Sequence, residues 1–163
     1  MNSAAAARDL CACLIAADDI ERVIVIDGVH TGRSRRRFFE KRFAAAAARP
    51  QDFIAIGIRR GDALSGYAIA RILRGEFGRE QAVAVLDAVG VEPQSEQRGV
   101  GHALMDELIV ALNRMGVRSL QSQVDWDNHD LLRFFAASDF ALAPRLVLER
   151  SLAEPLREIS DDV

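Results

Sequence analysis

The residues with the most chemical content run from Val91 to Leu104, Val-Glu-Pro-Gln-Ser-Glu-Gln-Arg-Gly-Val-Gly-His-Ala-Leu. They read as a strand end, a polar spacer and two glycines opening a helix. The first N–H groups of a helix have no partner inside it, and glycines let a bulky anion come close to them. The chemistry on offer is therefore the binding of a phosphate-bearing molecule. A dinucleotide-binding turn is one reading, and Asp125 lies near the end of the next strand, where a ribose-binding acid belongs. Two features count against it: Leu104 stands where the third glycine is needed, and the spacer from Glu92 to Arg98 is too long for a turn that follows its strand directly. A P-loop is excluded because no Gly-Lys-Ser/Thr is present.

Asp87 is the candidate general base. In an extended strand Val83, Val85, Asp87, Val89 and Val91 share one face, and a carboxylate interrupts that apolar row. The competing reading is an ion pair with one of the many arginines. Tyr67, the only tyrosine, is read as a half-buried core residue in a middle strand. Trp126 is open between a structural plug and a wall of the acceptor site. His30, His102 and His129 show no metal-ligand spacing, so surface or capping roles are expected and no metal is called for. Cys11 and Cys13 are one residue apart and point the same way in a strand, which suits two small buried residues in a reducing compartment better than a disulfide. The run Arg35-Arg36-Arg37 reads as the solvated face of a helix, with an anion site as the alternative.

The elements that must position these residues follow from periodicity and punctuation. Leu10 to Ile15 suits a first strand. Asp18-Asp19 supplies N-cap chemistry for a helix with Ile20, Val23, Ile24 and Ile26 inward, ending in a loop marked by Gly28 and Gly32. Ser34 to Ala48 is a second helix, with Phe39, Phe43 and the alanine run inward, stopped by Arg49-Pro50. Phe53–Arg59, Ala63–Leu73 and Gln81–Val91 are three strands of an antiparallel meander. Gly101 to Met115 is a helix with Leu104, Leu108, Leu112 and Met115 on one stripe, stopped by Gly116. Ser119–Val124 is a further strand, Asn128–Ala137 a short helix, and Phe140–Leu152 one or two last strands around Pro144. The acidic end from Glu158 is expected to fray. The fold class is α/β with a mixed sheet, in a single domain over 1–163 with its core at about 10–152.

Bulk properties bound the function. The chain has 163 residues, 50% hydrophobic and 28% charged, with net charge -3, the balance of one ordinary globular domain. A mildly acidic chain argues against a nucleic-acid partner. Apolar stretches near the start are interrupted by charges before any could span a bilayer, so no membrane partner and a cytoplasmic location are expected. Lys41 is the only lysine, a bias that carries no mechanistic weight.

Val91, Pro93, Gly99 and Gly101 resemble the first signature of the GNAT acetyltransferase family, Val-x-Pro followed by Gln/Arg-x-x-Gly-x-Gly/Ala and a helix. Asn128, Leu131, Phe134, Phe135 and Phe140 keep the spacing of its second, Asn-x-x-Ala-x-x-Phe-Tyr-x-x-x-Gly-Phe. The resemblance implies a largely antiparallel central sheet with helices on both faces, and transfer of an acyl group, most simply acetyl from acetyl-CoA, to a primary amine by direct attack in a ternary complex. It implies that Arg98, Gly99, Val100, Gly101, His102 and Ala103 hold the CoA phosphates, that Val89, Gly90 and Val91 hold pantetheine, with the Val89 backbone as the oxyanion contact, and that Asn128 and Phe135 touch the cofactor. The acceptor is a small-molecule or protein amine, shaped by the Gly28–Arg37 loop and the last strands. Glu96, Phe135 and Asp139 depart from the pattern. Phe135 has no hydroxyl to protonate the leaving thiolate, and Glu96 places negative charge near phosphates unless it points to solvent. These departures keep open a non-catalytic module that binds or senses acyl-CoA. Unpaired apolar strand edges after Phe140 suggest a homodimer.

Overall fold

The computed structural model describes residues 10–75, 78, 80–96 and 99–152. Arg98, the acidic tail and the first nine residues lie outside them. Five strands form one sheet in the order β1-β2-β3-β4-β5: β1 Leu10–Leu14, β2 Phe53–Arg60, β3 Ala63–Leu73, β4 Val83–Val91 and β5 Leu120–Gln121. The first four pair antiparallel and β4–β5 is parallel, because α3 (Val100–Arg114) makes the crossover between them. The mixed α/β fold expected from the sequence is the one observed.

Helices cover both faces. On one side Leu104, Met105, Leu108 and Leu112 of α3 pack on Ile54, Ile56, Ile58, Ala68, Ala70 and Leu86. On the other, α1 (Ile20–Thr31) and α2 (Arg36–Ala48) bring Val23, Ile24, Ile26 and Phe39 against Leu64, Tyr67, Ile69 and Ala88. A short helix, α4 (His129–Ala137), puts Phe135 into the α3-side core.

Several sequence expectations are corrected. Helix α1 runs through Gly28 and ends at Gly32, whose φ of 67° closes it, since one glycine inside a packed helix costs only about 1 kcal/mol. Cys11 is exposed and Cys13 only half-buried, because β1 is an edge strand. Met115 is 38% exposed and leaves the stripe of α3. The alanine run of α2 is only partly covered, and Phe39 is the one buried residue of that helix. The strand expected at Ser119–Val124 shrinks to Leu120–Gln121, and Phe140–Leu152 forms no strand. In that last segment Leu142, Leu146, Val147, Leu148 and Leu152 are exposed. Pro144 in its middle removes a ladder donor, and among the described residues no strand lies opposite on which to bury these side chains.

Candidate functional site

Strand β4 carries a β-bulge at the centre of the candidate site. Ile69 pairs with Ala88 and Ala70 with Leu86, which leaves Asp87 as the extra residue. The expected single row from Val83 to Val91 therefore breaks. Ala84 and Leu86 face α3, Ala88 faces α1 and α2, and Val89 and Val91 pack toward α3 again.

The bulge also switches which backbone groups reach the outer edge of β4. Before it, Ala84 N–H donates to Ser119 O at 2.8 Å and Leu86 O accepts from Ser122 Oγ at 3.5 Å, so even positions point outward. After it, Glu92 N–H turns inward to Ser65 O at 2.8 Å. Alternation then turns Val89 and Val91 outward. β5 pairs only with Ala84 and Val85, and although Leu86 O is met by Ser122 Oγ and Val91 O by His30 Nε2, the edge between them, at Val89, has no partner among the described residues. An amide-bearing chain could lie there as an additional strand, with the Val89 N–H presented to it.

The bulge residue is anchored. Asp87 accepts from Arg71 Nε at 2.9 and 2.6 Å, and Arg42 Nε lies 2.8 Å from Oδ2 as a charge contact without an aligned hydrogen bond. Its side chain is 6% exposed, so both oxygens are committed to guanidinium groups. This is the ion pair that the sequence left open beside a base.

The glycine loop sits at the start of α3. Gly99 has φ 82°, a left-handed conformation that a side chain would strain. Ala103 N–H is the first to close a helical bond, to Gly99 O at 2.9 Å, which leaves the amides of Val100, Gly101 and His102 without an intrahelical partner. No acidic residue occupies the first turn of α3. Glu96 is half-exposed and its Oε1 lies 3.8 Å from His30 Nε2, so its charge is directed to His30. A free helix start with no carboxylate of its own, beside an open strand edge, fits a diphosphate joined to an amide-bearing arm.

Asn128 and Phe135 are placed differently from the loop. Asn128 Oδ1 accepts from Leu131 N–H at 3.2 Å and caps α4. Phe135 is 5% exposed, between Phe134 and Phe140 with ring centroids 5.6 and 4.7 Å away. Phe134 contacts the glycine helix, since its ring lies against Gly101. Trp126 is 85% exposed and plugs nothing.

Several contacts around the site escaped the sequence reading. His30 Nε2 lies 2.6 Å from Val91 O, and Arg22, bonded through Nε to Leu64 O at 3.1 Å, pairs with Glu92. Both tie α1 to the end of β4. Asp27, 2% exposed, accepts from Tyr67 Oη at 2.8 Å and from Arg35 Nε at 2.8 Å. Burial, and then the Asp27 charge, push the Tyr67 phenol far above its ordinary range. The bond to Asp27 raises the Arg35 guanidinium in turn. The only sequence signal for this network was a polar residue, Asp27, within the apolar run of α1.

The Acetyltransferase (GNAT) family profile matches residues 14–140. Among curated protein sequences none matches. Solved structures with the same fold include three at low identity. A transcriptional regulator from Bacillus halodurans C-125 is 16% identical with a TM-score of 0.73, covering 87% of this chain and 99% of its own. An aminoglycoside antibiotic 6'-N-acetyltransferase from Acinetobacter baumannii is 12% identical with a TM-score of 0.72, over 87% of this chain and 97% of its own. The structure of AAC(6')-Iy in complex with the bisubstrate analogue CoA-S-monomethyl-acetylneamine is 17% identical with a TM-score of 0.69, again over 87% and 97%. At such identities these likenesses bear on the fold alone.

Proposed function

Because the chain belongs to the GNAT acetyltransferase family, we propose that it transfers an acetyl group from acetyl-CoA to a primary amine by direct attack in a ternary complex. The observation that carries this reading is the bulge at Asp87, which turns the Val89 amide toward the open edge of β4. Acetyl-CoA supplies the activated acyl group. The free amides of Val100, Gly101 and His102 hold its phosphates, with Gly99 and Ala103 completing the described part of the loop, and the outward backbone of Val89 and Val91 holds its pantetheine arm.

The amine nitrogen attacks the thioester carbonyl carbon. Negative charge gathers on the carbonyl oxygen and is met by the Val89 N–H, a donor fixed in place before the reaction. As the C–S bond breaks, the amide forms and the thiolate leaves, taking a proton from solvent, since Phe135 is buried and carries no hydroxyl. A thiol's modest pKa makes this tolerable. The proton lost by the amine passes to His30, directly or through a water. With its Nε2–H donated to Val91 O, the Nδ1 lone pair of His30 is left free to accept. Asp87 acts as a positioning residue, holding the bulge through Arg71 and Arg42.

Calorimetric titration with acetyl-CoA, against NAD as control, tests the cofactor, and thiol release with an amine panel tests turnover. Saturable acetyl-CoA binding followed by thiol release supports the enzyme. Binding without release from any amine would leave an acyl-CoA sensor, and absence of binding would sink both.

A further inference from the structure

The turn between α1 and α2 forms a shallow, open recess lined by Arg33, Ser34, Arg35, Arg36, Arg37 and Phe38. Its four guanidinium groups are not equivalent. Arg35 is locked by Asp27 and lies over the rings of Phe38 and Phe39, 5.0 and 5.5 Å from their centroids. Arg36 is held by Glu21, with Glu40 3.8 Å away. Arg33 and Arg37 are exposed, and neither side chain has a hydrogen-bond or ion-pair partner among the described residues. Among the described residues no acidic side chain lines the recess. It therefore presents two uncompensated positive charges on a wall that Arg35 makes rigid.

The recess is joined to the reacting end of β4 by a short chain of contacts. Arg35 bonds Asp27, Asp27 bonds Tyr67, and the Tyr67 ring abuts the Gly90 α-carbon. The same turn begins just after His30, which touches Val91 O. The turn that carries Arg33 thus follows directly on the residue that touches the end of β4.

We propose that this recess seats a carboxylate of the acceptor, so that the molecule acetylated is a small amine bearing a carboxylate on the same skeleton, of the amino-acid class. A guanidinium fork matches a carboxylate in two parallel hydrogen bonds. A polycationic amine would instead meet two unpaired like charges, which selects against it. This assignment rests on the acetyltransferase reading for the amine, while the carboxylate seat can be tested without it.

The test has two arms. In the first, N-acetylglycine and its neutral amide, N-acetylglycinamide, are titrated into the protein without acetyl-CoA, followed by nuclear magnetic resonance. N-acetylglycine is expected to bind at least roughly tenfold tighter than the amide. An Arg33→Gln/Arg37→Gln double variant should lose that preference while keeping wild-type affinity for acetyl-CoA. In the second, thiol release is compared between free amino acids and their amides, with the acids favoured by a similar factor in kcat/KM. Equal binding of the two probes, or a preference that persists in the double variant, overturns the proposal. A carboxylate preference without acetyl-CoA binding would sustain the seat and sink the acetyltransferase reading instead.

Discussion

The ring of Tyr67 occupies the space that a side chain at Gly90 would need: a Cβ there would lie 2.7 Å from Tyr67 Cε1 and 3.2 Å from its Oη. Tyr67 is itself fully buried and bonded to Asp27, so it cannot swing away, and the cost falls on β4. Gly90→Ala should destabilise the protein by about 1–3 kcal/mol in chemical denaturation, the usual range for overpacking. It should also raise the KM for acetyl-CoA, because Val89 and Val91 flank the displaced residue. Adding Tyr67→Leu should recover part of the loss. Strict additivity of the two changes would show that the contact is not what constrains Gly90.

Tyr67 gives a second readout, since no other tyrosine is present. Burial raises its phenol well above the ordinary value of 10.0. A raised folded pKa means that the stabilisation is fully present below the unfolded value, about 10. It is lost as pH rises from there toward the folded value, while the unfolded chain ionises first. The folded protein should therefore show no tyrosinate absorbance where a free phenol titrates, and the signal should appear together with unfolding. A reversible titration of the folded protein at the ordinary phenol value would refute the buried Tyr67–Asp27 bond.

The glycine loop, the helix it opens and the three long strands were legible because each has a local signal: Gly99 and Gly101, the Leu104–Leu108–Leu112 stripe, the apolar runs of β2 to β4. The bulge was not. It leaves no mark in the sequence, since Asp87 within alternating valines looks the same whether or not the register shifts there, and the shift alone decides which way Val89 points. The Asp27–Tyr67–Arg35 network escaped because it joins residues eight and forty positions apart, which no local pattern encodes. The strands expected after Phe140 had apolar residues but no surface to bury them on, and strand propensity depends on such neighbours.

Asp87 and His30 are separated by where their loss is felt. Asp87→Ala removes one partner of a largely buried ion cluster and should cost about 3 kcal/mol. Asp87→Asn keeps the shape and is the variant for kinetics. It should weaken acetyl-CoA binding as well as lower kcat, as befits a residue that holds the bulge. His30→Gln should instead lower kcat by about 10²-fold, the loss of a proton acceptor, with acetyl-CoA affinity unchanged. If Asp87→Asn leaves affinity intact and His30→Gln weakens it, the roles assigned to the two are reversed.

The segment after α4 leads to a prediction about assembly. Leu142, Leu146, Val147, Leu148 and Leu152 are 98%, 89%, 72%, 90% and 90% exposed, a succession of bare apolar side chains of the kind that marks an interaction surface. β5 meanwhile ends the sheet with only β4 beside it, an unpaired edge that invites another strand. A second copy would bring both what the segment lacks, a surface to cover it, and what the edge lacks, a partner. Light scattering should give twice the chain mass, and Leu146→Asp/Leu148→Asp should shift the protein to the monomer while acetyl-CoA still binds, since neither residue belongs to the glycine loop or to β4. A wild-type chain that stays monomeric at high micromolar concentration would show that these side chains remain in water.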